Sequence, residues 1–169
     1  MNMDPHAAHG APSTTAGGAK APSHYRRLAL MALVSFAVMY VLMYAMVDSI
    51  GSVYMSSNQV YMAGLMAAPM VAIELALMGM MYRDRRLNAI LIGASLLLTA
   101  VLWMLIRTQA GIGDRQFLRS MIPHHSGAIL MCGKAKITDP RIKALCADIM
   151  VGQRREIDQM KALLAEGAR

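Results

Sequence analysis

The sequence predicts an all-α fold: three transmembrane helices followed by an extracytoplasmic antiparallel helical hairpin. Three observations predict it. Of 169 residues, 56% are hydrophobic and only 16% charged, which points to membrane spans instead of one packed core. Three apolar runs, residues 28–47, 60–82 and 89–106, approach the roughly 20 residues that cross a bilayer core of about 30 Å. Beyond them, residues 107–169 hold two amphipathic stretches joined by the polar segment GKAKITD, enough for two helices.

Residues 1–27 are rich in Ala, Gly, Pro, Ser and Thr and cannot bury enough apolar surface to offset the entropy of ordering them. They are expected to form a disordered cytoplasmic tail, in which Met3, His6 and His9 chelate a soft metal loosely at most. The first run, LALMALVSFAVMYVLMYAMV, is too long for a signal-peptide core, and no small-residue cleavage pattern follows it, so it should persist as an anchor. The three-helix transmembrane region then covers residues 28–106.

Charge sets the expected orientation. Lys20, Arg26 and Arg27 precede the first run, and Arg83, Arg85 and Arg86 lie between the second and third, whereas DSIGSVYMSSNQ between the first and second has no Lys or Arg. The positive-inside tendency therefore predicts a multi-pass protein of the bacterial inner membrane, with a cytoplasmic N-terminus and a periplasmic domain over 107–169. The net charge of +7 fits anionic head groups of the lipid bilayer. No nucleic-acid motif accompanies it, so nucleic acid is not an expected partner.

In the hairpin, Asp114 is expected to cap a helix through RQFLRSMIPHHSGAILMC, and Asp139 a second helix with Pro140 at its first position. At about 100° per residue, Phe117, Met121, His124, His125, Met131 and Cys132 share roughly a third of the first helix's circumference, turned broadly toward the second. Folding the hairpin at its turn sets His125 opposite Gln153 and Cys132 opposite Cys146. The cysteines are then placed either for a disulfide or for two buried thiols. Pro123 removes an amide donor, frees the carbonyl of Arg119, and is expected to bend the helix before the histidines.

Thioether and imidazole together make a soft donor set that suits copper(I) better than magnesium, calcium or a di-iron centre. The same residues also admit plainer roles. Met131, Met150 and Met160 fill apolar gaps well, and the histidines can serve the helix interface, one of them hydrogen-bonded to Gln153.

The pattern D-x-x-F-L-x-x-M-I-P-H-H-x-G-A-I-x-M over Asp114–Met131, followed by I-x-x-L and by Q-x-x-E-I-x-x-M over Gln153–Met160, resembles the family of domain of unknown function 305. The resemblance implies a ferritin-like helical domain, mostly exported or periplasmic, associated with copper binding and copper tolerance, here in a membrane-anchored branch. It implies Met121, His124, His125 and Met131 as copper-binding positions, with Met150 and Met160 as weaker candidates. Two features depart from the family: Cys132 and Cys146 stand where alanine is expected, and one hairpin supplies only half a four-helix bundle. A homodimer is expected to complete it.

Within the second run, Met62, Met66, Met70, Glu74 and Met78 recur every four positions. Glu74 is expected to face the interior of the bundle, near Tyr40, Tyr44, Ser95 or Thr99. The stripe, with Met39, Met43 and Met46, reads as a thioether track for copper(I) or as flexible packing.

The expected function is a membrane-anchored copper-binding protein that buffers or hands on copper in the periplasm, in metal tolerance and homeostasis. It is not expected to be an enzyme: nothing combines nucleophile, base and orienting acid, and no Glu-x-x-His supports di-iron chemistry. A metal transporter or transporter subunit using the Met and Glu74 face is one alternative. A metal-free membrane interaction module is the other.

Overall fold

The computed structural model describes residues 24–167; the expectations for Met3, His6, His9 and the rest of the tail before His24 lie outside the described residues. Among these there are five α-helices and no strand: α1 His24–Leu42, α2 Ser57–Leu77, α3 Arg85–Thr108, α4 Asp114–Lys134 and α5 Pro140–Ala165. Two 3-10 turns, Met43–Met46 and Ile50–Ser52, join α1 to α2.

Three segments, His24–Met46, Ser57–Leu77 and Arg85–Thr108, are long and apolar enough to cross a membrane. Their ends differ from the apolar runs for local reasons. The second stops at Leu77, not Tyr82, because turn bonds from Met81 N–H to the Met78 carbonyl and from Tyr82 N–H to the Gly79 carbonyl break the helix. The third begins at Arg85, not Ala89, because the Asp84 carboxylate accepts the Leu87 amide at 2.9 Å as an N-cap.

α2 lies between α1 and α3. Its buried face is mostly small, Ala63, Ala67, Ala68 and Ala72 with Leu75, and small residues let apolar helices approach backbone to backbone. At Gly64 the approach is tightest: a Cβ there would come 2.9 Å from Leu102 Cδ1. Large apolar side chains such as Leu33, Val41, Leu97 and Trp103 cover the exterior.

The two ends of this unit are tied differently. At one end Tyr25 donates to Asn88 Oδ1 at 2.9 Å, and Asn88 Nδ2 donates to the Tyr82 carbonyl at 3.0 Å. Leu28, Leu75 and Tyr82 are buried beneath them. At the other end the Tyr44 hydroxyl lies 2.6 Å from Gln59 Oε1 and 2.9 Å from the Tyr54 carbonyl, while Ser56 caps α2 by accepting the Gln59 amide.

The hairpin docks on this second end. The Asp48 amide donates to Ser126 Oγ at 2.8 Å, the Ser57 amide to Gln116 Oε1 at 3.0 Å, and the Tyr61 hydroxyl to the Ala110 carbonyl at 3.2 Å. Gly127 faces the backbone of Met46, whose carbonyl oxygen would lie 3.4 Å from an added Cβ. Leu118, Ile122 and Ile129 of α4 form the core with Ile157 and Met160 of α5, and Tyr54 packs against it from the loop before α2.

Asp114 does not cap α4 as expected. Gly113, in extended backbone, is the N-cap and offers no side chain; Asp114 already occupies the first turn, where its charge meets the positive end of the helix. α4 runs helical through Pro123, which is buried. At α5 the expectation holds: Asp139 accepts the Arg141 amide at 2.8 Å, with Pro140 at the first position. The Arg141 side chain, then its amide, holds the Asp139 carboxyl below the ordinary carboxylate range. Because the folded value is the lower one, the cap's contribution is complete above the unfolded value and is lost as pH falls through the folded one.

Cys132 and Cys146 form a disulfide, with Cα atoms 5.3 Å apart, within the span such a bond requires. A closed loop of this length corresponds to about 3 kcal/mol of restricted unfolded-chain entropy. Reduction, or Cys132→Ser, is therefore expected to destabilise α4 and α5 by about that amount, measured as lost hydrogen-exchange protection in the hairpin but not in α2 or α3.

Candidate soft-metal site

Adjacent residues on an α-helix project about 100° apart, and α4 has a neighbour on each of two sides. That offset separates the two histidines. His125 turns to α5: its Nδ1 lies 2.8 Å from the Met121 carbonyl oxygen and its Nε2 3.0 Å from Glu156 Oε2. With both ring nitrogens engaged, His125 is committed to holding the hairpin together. The expected partner Gln153 makes no side-chain hydrogen bond among the described residues. Glu156, one turn further along α5, takes its place, because the crossing of the helices brings that turn abreast of His125.

His124 is exposed and turns away from α5. Together with Met121 and Met131 it lines a cleft of about 610 Å³ between α4 and the apolar unit. Met43 and Met46, from the 3-10 turn after α1, and Met62 of α2 line the same cleft. Of the expected hairpin positions, then, Met121, His124 and Met131 come together and His125 stands apart. Met160 is buried in the hairpin core, and Met150 and Met121 both pack against that core; of the three only Met121 also lines the cleft.

The donor chemistry is one-sided. Five of the twelve lining residues are methionines, one is histidine, and none is Asp, Glu or Cys. Among the described residues no cluster of three or more His, Cys, Asp or Glu is placed to hold a metal. The cleft therefore lacks the anionic oxygens that hard cations need, and offers neutral thioethers and an imidazole, which suit a soft ion. Asn58 also lines it.

The Met and Glu74 stripe does not form one inner face. Met66 and Met78 are exposed on the exterior, because the small residues of α2 occupy its packed side. Glu74 lies in the last turn of α2, at the end remote from the cleft, next to Tyr82, whose phenol is pushed up first by burial and then by the Glu74 charge. Tyr82 was not among its expected partners, and those that were make other contacts: Tyr44 contacts Gln59 and Tyr40, Ser95 donates to the Ile92 carbonyl, and Thr99 to the Ser95 carbonyl.

The model of a family described as domain of unknown function (DUF305) matches residues 97–164, from the middle of α3 to the end of α5. An uncharacterized protein of Acanthamoeba polyphaga mimivirus is 36% identical over 140 residues, covering 81% of this chain and 90% of the viral protein. A match of that length extends well beyond the hairpin, so the viral relative also shares part of the apolar unit. No solved structure matches the chain.

The division of labour between the histidines is directly measurable. His125→Ala is expected to lower hairpin stability by about 1 kcal/mol, seen as a lower thermal midpoint. His124→Ala, at an exposed position without a partner side chain, should leave that midpoint unchanged.

Proposed function

Since the chain belongs to the DUF305 family, we propose that it is a membrane-anchored copper-binding protein that buffers copper or hands it on outside the cytoplasm, in metal tolerance. One observation carries this reading: His124, Met121 and Met131 open onto a single cleft that contains no carboxylate. Such donors favour copper(I) over zinc, magnesium or calcium. The role is binding and not catalysis.

The proposed topology has the N-terminus in the cytoplasm and the hairpin in the periplasm of a bacterial inner membrane. The hairpin docks beside the loop that lacks Lys and Arg, the end that the positive-inside tendency assigns to the outer face. A disulfide in the hairpin suits an oxidising compartment. Ile142 and Leu145 are exposed on one side of α5; a second copy covering that side would complete a four-helix bundle, which supports a homodimer.

The full chain in nanodiscs is expected to retain copper(I) against a chromophoric chelator. The double variant His124→Ala, Met121→Leu should weaken that affinity at least about tenfold, equivalent to about 1.4 kcal/mol, at unchanged helicity. If the wild-type chain retains none, the copper reading falls and a metal-free interaction module remains.

A further inference from the structure

Resting on that reading, we infer that the metal site is composite: the apolar unit supplies Met43, Met46 and Met62 as thioether donors to the ion that His124 and Met121, one turn apart on α4, hold from the hairpin, while Met131, about 15 Å further along the helix than Met121, borders the far end of the cleft. The hairpin is then half of a site whose other half is built into the ends of α1 and α2.

Local structure places these methionines. α1 gives way at Met43 to a 3-10 turn, Met43–Met46. In that geometry residues three apart eclipse, so Met43 and Met46 stack on one side, and both line the cleft. An α-helical continuation would have set them about 60° apart. Tyr44, between them, lies 2.6 Å from Gln59 Oε1, which fixes the turn to the start of α2. Met62 stands one turn beyond Gln59 on α2 and lines the same cleft.

The facing wall is equally fixed. Ser126 accepts the Asp48 amide and Gln116 the Ser57 amide, so α4 is tied to the chain on both sides of the Ile50–Ser52 turn. Gly127 lets α4 close onto the Met46 backbone. Methionines that serve only as packing fill the space beside them. Here the thioethers border an open cleft, and Met46 and Met131 remain more than half exposed, at 52% and 53%. The lining has no ionised oxygen or thiol to neutralise a divalent ion, so the ligand class is a soft monovalent cation, copper(I) or silver(I).

The test uses the full chain in nanodiscs with copper(I) alone as ligand. The triple variant Met43→Leu, Met46→Leu, Met62→Leu keeps side-chain volume and is expected to weaken binding at least tenfold with helicity retained. X-ray absorption of the copper(I)-loaded wild-type chain should count three or more sulfurs around the ion, a shell that Met121 and Met131 cannot supply alone. Wild-type affinity in the triple variant, or a shell of two sulfurs or fewer, overturns the composite site and leaves the hairpin reading intact. No copper retention by the wild-type chain overturns both.

Discussion

Everything else in this molecule depends on α4 being a shared wall. One side of it packs through Leu118, Ile122 and Ile129 against Ile157 and Met160 of α5. Another is pinned to the loop between α1 and α2 by hydrogen bonds to Ser126 and Gln116. Neither side can be given up without exposing apolar surface or stranding polar groups. With both faces engaged, the rotation of α4 about its own axis is set, and so is the direction in which each histidine projects.

That constraint sends the adjacent side chains of His124 and His125 in different directions. Consecutive side chains diverge, and the two neighbours of α4 draw them in different directions. His125 stays with α5 through Glu156, and His124 is left to the cleft. Pro123 is not needed to separate them, since helical geometry alone accounts for the divergence. The methionines sort by the same rule: those on α5 join the core, and those on α4 that share a side with His124 border the cleft.

Much of the architecture was legible in residue order because it rests on long-range composition and strong punctuation. Apolar runs mark the three helices long and apolar enough to cross a membrane, Asp139 and Pro140 mark the start of α5, and the equal distances of Cys132 and Cys146 from the turn set them opposite each other without deciding between a bond and two thiols. What escaped is what needs three-dimensional registration. Glu156 replaced Gln153 because a hairpin drawn flat ignores how helices cross. Glu74 moved from the middle of a span to its last turn because Gly79 and its neighbours end α2 early. Periodicity every four residues says which methionines share a stripe, not whether the stripe faces in or out. Met43 and Met46 read in sequence as members of a methionine stripe, but that they line one cleft with Met121 and His124 was not legible, since the change from α to 3-10 geometry after Leu42 has no mark in the residue order. Asp114 misled because an acidic residue is equally at home at the cap and in the first turn.

That five of the six soft donors along the cleft are thioethers has a chemical corollary. Sulfur in methionine carries no exchangeable proton, so five of the lining side chains keep the same charge and the same lone pairs in acid as at neutrality. A wall of this kind retains its donors in an acidified compartment where thiolate cages would be protonated and release their contents.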